Sequence, residues 1–293
     1  MVRLAAFPKC WIEDIASGRM SIFEWIERST ELECDGLELH AGFLQSHDRE
    51  YLRRVRRSIE ALGMTAPMLC YSPDFTLPDA QARREQVAAQ IEMIHVTGEL
   101  GGQYCRTLSG QARPGVTMQQ GVDWVTECIT ACLPEAQECG VRLVIENHFK
   151  DTFWLHREFA QKKQVFLAIV NRIHSPWLGV QYDPSNAIVA GDDPLDVLDA
   201  VLPRVMTMHA SDRYLLPGTW LDELRQNDGT LGYPTNFVHG VTGRGQNDYD
   251  AIFTRLARAR FDGWISIEDG MNGMDEMVES MRFLKRMSAK YFG

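Results

Sequence analysis

Four ionisable residues follow four successive apolar runs in the second half of the chain: Glu146, Asp183, His209 and Glu268. Each run has the length of a buried strand, and an ionisable group at such depth is costly unless it is paired or binds a cation. Three carboxylates cannot share one site without positive charge between them. One imidazole and three carboxylates suit a hard or borderline divalent ion. We therefore expect Mn²⁺ or Mg²⁺ as cofactor, with Co²⁺ or Zn²⁺ as alternatives.

Such an ion, if octahedral, keeps about two positions open, enough for two adjacent oxygens of a sugar. Each residue taken singly also has an ordinary structural interpretation. A carboxylate after a strand is commonly a solvated or salt-bridged loop residue, and a lone histidine is commonly a hydrogen-bonded structural one. The recurrence on four successive strands is what predicts the metal site.

The apolar runs belong to a pattern that alternates along the whole chain. Continuous apolar stretches bounded by turn residues predict strands, at Arg3–Pro8, Gly36–Ala41, Thr65–Ser72, Gln103–Ser109, Arg142–His148, Leu178–Pro184, Val205–Ser211 and Gly263–Gly270. Apolar residues at helical spacing predict helices between them, at Ser21–Leu32, Glu50–Leu62, Ala82–Leu100, Gln119–Glu138, Val165–Ile173, Pro194–Leu202, Asp250–Ala259 and Asp275–Met287.

Eight strand–helix units in 293 residues predict an α/β fold, a closed (β/α)8 TIM barrel that forms a single domain over residues 1–293. A doubly wound open sheet is the alternative, but it usually carries a glycine-rich phosphate loop after the first strand, where this chain has Phe7-Pro8-Lys9-Cys10. A long connection, Asp212–Asn247, follows the seventh strand, and loops of this length are usually functional.

Composition excludes several other classes. The formal net charge is −10, which disfavours a nucleic-acid partner because affinity for the phosphate backbone comes mainly from Lys and Arg. No apolar run approaches about 18 residues, so we expect no membrane span. The seven cysteines form no CxxC pair and most lie in apolar runs. We expect reduced thiols and a cytoplasmic location.

In TIM barrels the active site lies at the carboxyl ends of the strands, and five more residues fall there or in the long loop. His148 follows Glu146 by two positions, on the same face if the strand continues, and we expect it to act as the catalytic acid/base. A partner that orients a metal ligand is its alternative role. Expected substrate contacts are His40, Asn186, Arg213 and His239, although Asn186 equally suits a turn after Pro184 and Arg213 equally suits a pair with Asp212.

The chain resembles the xylose-isomerase-like superfamily of sugar isomerases and epimerases over essentially its whole length. The strings VIENH, YDPSN, MHASD and ISIED match the metal-strand motifs of that superfamily. The resemblance implies that Glu146, Asp183, His209 and Glu268 are the metal ligands. It also implies that in an epimerase Glu146 and Glu268 exchange protons with the substrate from opposite faces.

The last third of the chain also resembles the α subunit of C-glycoside deglycosidases, on HASDR, HGVTGRGQNDYDAIF and GWISIEDGMNGMDE. That resemblance implies a divalent metal, a small β subunit as partner, and a lyase that breaks the carbon–carbon bond between a 3-oxo-sugar and an aromatic aglycone. The segment Tyr214–Trp220 is our candidate for the aglycone contact or the subunit interface. A keto-sugar 3-epimerase or isomerase is the alternative function. An abasic-site endonuclease is disfavoured by the acidic charge and by the single histidine among the four ligands. A catalytically silent scaffold subunit is a further alternative, which stoichiometric metal binding and loss of turnover in Glu146→Gln would exclude.

Overall fold

The computed structural model describes residues 2–151, 154–221 and 236–293. Its strands are β1 (Arg3–Ala6), β2 (Gly36–Leu37), β3 (Leu39–His40), β4 (Met68–Cys70), β5 (Tyr104–Thr107), β6 (Arg142–Glu146), β7 (Leu178–Tyr182), β8 (Val205–Ala210), β9 (Arg213–Leu215), β10 (Phe237–His239) and β11 (Trp264–Ile267). Its α-helices are α1 (Ile12–Ala16), α2 (Ile22–Arg28), α3 (Arg49–Glu60), α4 (Ala80–Glu99), α5 (Met118–Cys139), α6 (Lys163–Val170), α7 (Pro184–Ala190), α8 (Pro194–Val201), α9 (Tyr249–Arg258) and α10 (Met274–Phe292).

The main sheet is a nearly closed parallel barrel. Its strand order is β2-β1-β11-β8-β7-β6-β5-β4-β3, and β2 and β3 are two halves of one barrel strand interrupted at Glu38. The first strand pairs with the last, with Arg3 opposite Trp264, and helices alternate with the strands along the chain. The predicted (β/α)8 barrel is confirmed, and the open doubly wound sheet is excluded because β1 and β11 lie side by side.

Alternation along the strands decides which side chains enter the barrel. Ala5, Met68, Tyr104, Val144 and Trp264 form a cluster with Cys70 inside the barrel, while their strand neighbours join the larger cluster between sheet and helices. Because successive side chains point to opposite faces, the residue two positions further along each strand also points inward. This register brings Arg106 and Glu146, two residues beyond Tyr104 and Val144, to the carboxyl end of the barrel lumen.

All eight predicted barrel strands are present, but most end earlier than the apolar runs do. β6 ends at Glu146 and β7 at Tyr182, because the residues that follow turn into loops and caps. Two of the described helices were not predicted, α1 and α7. Helix α7 begins directly after Asp183, whose side chain accepts a hydrogen bond from the Asn186 backbone. Asn186 therefore lies in the first turn of a helix rather than in an isolated turn.

The long connection after the seventh barrel strand begins as a hairpin. β9 and β10 pair antiparallel, with Arg213 opposite His239, and the middle of the connection lies outside the described residues. The Asp212 carboxylate holds the returning chain because it accepts hydrogen bonds from the backbone N–H groups of Gly243, Gly245 and Asn247. Both ends of the connection are thereby fixed beside the carboxyl end of β8.

The seven cysteines are all free thiols. Within the described part of the chain, no helix combines the length and apolar character needed to cross a bilayer.

Candidate active site

His209 lies at the centre of a group of carboxylates at the carboxyl end of the barrel. Its Nδ1 atom is 3.2 Å from Oε1 of Glu146 and 3.7 Å from Oε2 of Glu268. On the other side of the ring, Nε2 lies 2.6 Å from Oε1 of Glu38. Burial opposes protonation of this ring, but Glu38, Glu268 and Glu146 together raise the pKa of His209 well above its ordinary value.

Asp183 joins the same group from the end of β7. One donor atom each from Glu146, Asp183 and His209 lies within 4.8 Å of the others. The carboxylate is oriented by two hydrogen bonds to Oδ1, from the Ser211 hydroxyl at 2.6 Å and from the Asn186 backbone at 2.9 Å. Burial, followed by repulsion from Glu268 and Glu146, raises the pKa of Asp183 to about 6.

Two cations offset the carboxylates. Arg106 Nη1 donates to Glu146 Oε2 at 2.8 Å, and Lys9 Nζ donates to Glu268 Oε1 at 2.8 Å. Burial opposes ionisation of Glu146, but the neighbouring His148, His209 and Arg106 lower its pKa to about 2. Burial likewise opposes ionisation of Glu268, and Lys9 is the leading cause that lowers its pKa below the ordinary range. Both side chains are therefore anionic at neutral pH.

Glu146, Asp183 and His209 form a donor group that fits a divalent metal ion, and Glu268 lies beside His209 but outside that group, with Lys9 on its other oxygen. Donor atoms about 2.1 Å from an octahedral ion lie about 3 Å apart, and the Nδ1 distances to Glu146 and Glu268 are close to that spacing. Because Nε2 of His209 is paired with Glu38, Nδ1 is the ring atom that faces Glu146 and Glu268. Three carboxylate oxygens and one imidazole nitrogen suit Mn²⁺, Mg²⁺ or Zn²⁺.

A cavity of about 660 Å³ opens above this group, and Glu268 is one of its walls. His40, His148 and His239 also line it, with Lys9 and Arg106. The Nδ1 atom of His40 accepts a hydrogen bond from the Gly42 backbone, so the Nε2 atom of that ring carries the proton. Burial and the nearby Arg106 lower the pKa of His40 to about 4.

His148 reaches the cavity although the strand does not continue to it. The β6 strand ends at Glu146, so the expected shared strand face is wrong, and a loop presents the ring instead. Its Nδ1 atom lies 3.4 Å from Oε2 of the buried Glu158. Burial opposes protonation, but Glu146 and Glu158 raise the pKa of His148 above its ordinary value.

Two expected substrate contacts lie elsewhere. Asn186 donates from Nδ2 to Glu146 Oε1 at 3.3 Å, so it touches a carboxylate of the group. Arg213 is buried in β9 beside His239, and the Asp212 carboxylate beside it is engaged by backbone N–H groups. Neither Asn186 nor Arg213 is among the described residues that line the cavity.

Several site residues had no role in the sequence prediction. Glu38 and Arg106 are ionisable residues inside predicted strands, Gly36–Ala41 and Gln103–Ser109, as Glu146 is inside Arg142–His148. Lys9 is the first polar residue after β1, and nothing in its local sequence indicates that it pairs with a carboxylate near the other end of the chain. Glu158 and Asp269 are buried partners of histidines, and no local pattern in the sequence marks such a partner.

Comparison with known proteins places the chain among these barrels. The family model for the xylose isomerase-like TIM barrel matches residues 26–287. Inosose dehydratase of Bacillus thuringiensis is 25% identical over 134 residues, 45% of this chain and 42% of that protein. 3-Oxo-isoapionate decarboxylase of Pectobacterium atrosepticum is 26% identical over 149 residues, 51% of this chain and 45% of that protein. The chain spans less than half the length of either relative.

A solved structure extends the likeness in fold to the whole chain. The crystal structure of the IolI protein with a binding zinc atom superposes with a TM-score of 0.75 at 15% identity, over 100% of both chains. At that identity the likeness shows the fold alone. The family match covers most of the sequence, and the chain is a member of the xylose isomerase-like TIM barrel family.

Proposed function

We propose that the chain is a divalent-metal-dependent enzyme on keto-sugars, and more specifically a carbon–carbon lyase that releases the aglycone from 3-oxo-C-glycosides. One observation carries the proposal: donor atoms of Glu146, Asp183 and His209 lie within 4.8 Å of one another, with Glu268 3.7 Å from the same histidine, beneath a cavity lined by histidines. The carboxylate–histidine group suits a metal ion that acts as the electrophile, and the histidines that line the cavity suit proton transfer.

Glu146, Asp183, His209 and Glu268 would hold the metal, with Mn²⁺ or Mg²⁺ as the first candidates and Co²⁺ or Zn²⁺ as alternatives. A bound divalent ion supplies Lewis acidity, which polarises a substrate carbonyl and makes the hydrogen on the adjacent carbon acidic. Arg106 and Lys9 keep the two glutamates ionised and in place.

The remaining chemistry falls to the side chains around the cavity. Once the proton next to the carbonyl is removed, the enolate can expel the group at C1 by β-elimination. His148 faces the cavity and is backed by Glu158, an arrangement that suits a proton donor to the departing group. His40 offers an N–H from Nε2, which suits a sugar hydroxyl or the carbonyl.

The lining of the same cavity is mixed. Phe7, Cys10, Ile12, Ala16 and Met271 contribute apolar side chains to it, beside the charged Glu13, Asp14 and Arg19. Apolar lining offers contact area for an aromatic group, and this supports a glycoside with an aromatic aglycone as the substrate.

The relatives' names support the reaction class. A decarboxylase breaks a carbon–carbon bond and a dehydratase expels water, so both names denote lyase chemistry. Each alignment covers about half of this chain, so the substrate proposal rests on the cavity and on the resemblance to C-glycoside deglycosidases.

A small β subunit stays a prediction of that resemblance. Tyr214, Leu216 and Trp220 are exposed, in or just after β9, and they are the described residues we propose for its contact. Co-expression with a small β subunit of that family and size-exclusion chromatography would test the assembly. The interface is supported if the unmodified chain co-elutes with the β subunit and the Trp220→Glu variant does not. It is contradicted if the unmodified chain and the variant both co-elute with the subunit.

The function is tested by one incubation in D₂O. Mn²⁺-loaded protein is mixed with a 3-oxo-C-glucosyl flavone and, separately, with free ketohexoses, and the products are read by mass spectrometry. We expect the unmodified protein to release the flavone. Loss of release in Glu146→Gln, with release retained in the exposed Glu127→Gln, would tie the reaction to the site. Deuterium in the ketohexoses without release would favour the epimerase alternative, in which Glu146 and Glu268 exchange the protons. No release and no exchange would contradict both.

A further inference from the structure

The β9–β10 hairpin brings a second histidine–carboxylate pair to the cavity. His239 Nδ1 lies 2.7 Å from Oδ1 of Asp269, and Asp269 has no solvent exposure. The His239 ring lines the cavity together with Glu268. A carboxylate on one ring nitrogen leaves the other nitrogen, Nε2, as the reactive atom of the imidazole.

Asp269 is itself held firmly. Its second oxygen, Oδ2, accepts hydrogen bonds from the Asp212 backbone N–H and from the Thr242 hydroxyl. The hairpin register places His239 opposite Arg213 and fixes the backbone on the other side. The His239 ring is therefore positioned by its own strand β10 and by Asp269, which the loop after β8 holds in turn.

We propose, building on the proposed function, that His239 is the general base that removes the proton from the carbon next to the substrate carbonyl, and that Asp269 is its positioning residue. The C–H bond breaks, its electron pair stays on the substrate as the enolate, and the proton moves to Nε2. The imidazolium so formed pairs with the Asp269 carboxylate. In the elimination the enolate re-forms the carbonyl and a C1–C2 double bond forms, while the bond between C1 and the aglycone breaks. The aglycone leaves with the electron pair of that broken bond and takes a proton from His148. His239 then gives its proton to solvent and His148 takes one from solvent, so both return to their starting states.

The His239 ring is neutral before the reaction, because burial, followed by the charges of Arg213 and Lys9, lowers its pKa well below the ordinary value. A neutral ring can accept a proton, and the Asp269 carboxylate on Nδ1 is the group that favours the protonated form. Glu146 and Glu268 are poorer acceptors because a cation already engages one oxygen of each.

The test separates proton removal from aglycone release. Mn²⁺-loaded protein acts on a 3-oxo-C-glucosyl flavone in D₂O, and deuterium at C2 of the recovered substrate is measured beside flavone release. For His239→Gln we expect both rates to fall at least about 100-fold, the usual size of a general-base contribution, with KM and Mn²⁺ affinity within about 3-fold. His148→Gln should keep C2 exchange and lose release. The exposed His174→Gln is the matched control and should change neither rate.

Added imidazole should restore part of the exchange in His239→Ala. Asp269→Asn should lower kcat with little change in KM. Deuterium exchange at C2 at the unmodified rate in His239→Gln would overturn the assignment. If that variant keeps exchange but no longer releases the flavone, the assignment is also overturned, because His239 would then act on the leaving group. If the unmodified protein neither exchanges nor releases, the proposed function fails first, and the assignment fails with it.

Discussion

The Nε2 atom of His209 lies 2.6 Å from Oε1 of Glu38, and both side chains are fully buried. This contact decides which ring nitrogen faces Glu146 and Glu268. Glu38 sits between β2 and β3, and β1 and β11 lie between β2 and β8 in the sheet. Its Oε1 also accepts a hydrogen bond from the Cys70 thiol at 2.9 Å. The histidine of the candidate metal site is thus oriented by a carboxylate outside the predicted ligand set.

The first prediction concerns that orientation. Glu38→Gln should weaken Mn²⁺ binding about 10- to 100-fold, the usual cost of removing a partner that orients a metal-binding histidine. Isothermal titration of Mn²⁺ into metal-free protein measures it. The exposed Glu127→Gln serves as control and should bind as the unmodified protein does. Equal affinity in Glu38→Gln would mean that His209 is oriented by its packing alone.

A second prediction concerns thiol reactivity. Cys10 lines the cavity, and burial raises the pKa of its thiol to about 11. Only roughly 0.03% of it is then thiolate at pH 7.5, so alkylation should be slow and should rise about tenfold per pH unit up to pH 9.5. Mass spectrometry of the Cys10 peptide after iodoacetamide treatment follows the rate. Labelling within minutes at pH 7.5 would contradict the expected burial.

A third prediction concerns stability at low pH. Asp74, before α4, accepts hydrogen bonds from Arg113 at 2.8 Å and from the Gln111 amide at 2.8 Å, and so joins two loops at the carboxyl end of the barrel. Burial opposes ionisation, but Arg113 and Gln111 lower the pKa of Asp74 below its ordinary value. Asp74→Asn should therefore lower the free energy of unfolding by about 1.5–3 kcal/mol at pH 7.

The sign of that effect follows from the depressed pKa. The stabilisation is fully present above the unfolded pKa of 3.8 and is lost as pH falls through the lower folded pKa. The gap between Asp74→Asn and the unmodified protein should be constant from pH 7 to 5 and should shrink below pH 4. Urea unfolding at each pH measures it, with the exposed Asp262→Asn as control. A gap that grows on acidification would refute the pairing.

The sequence contained enough to predict the barrel and four of its lumen residues, because both depend on local pattern. Continuous apolar runs mark buried strands, and the first ionisable residue after each run marks the carboxyl end. The pairs across the closed barrel are not local: Lys9 and Glu268 are 259 residues apart and meet only because β1 lies beside β11. Helix α7 was missed although Asp183 and Pro184 form a recognisable helix start.

The central claim is a divalent ion held by Glu146, Asp183, His209 and Glu268. Mn²⁺ titration of metal-free protein, followed by electron paramagnetic resonance, tests it most directly because free and bound Mn²⁺ give different signals. We predict one tightly bound ion per chain, lost in Asp183→Asn and retained in the exposed Glu127→Gln. Binding that is absent from the unmodified protein, or unchanged in Asp183→Asn, would contradict the account.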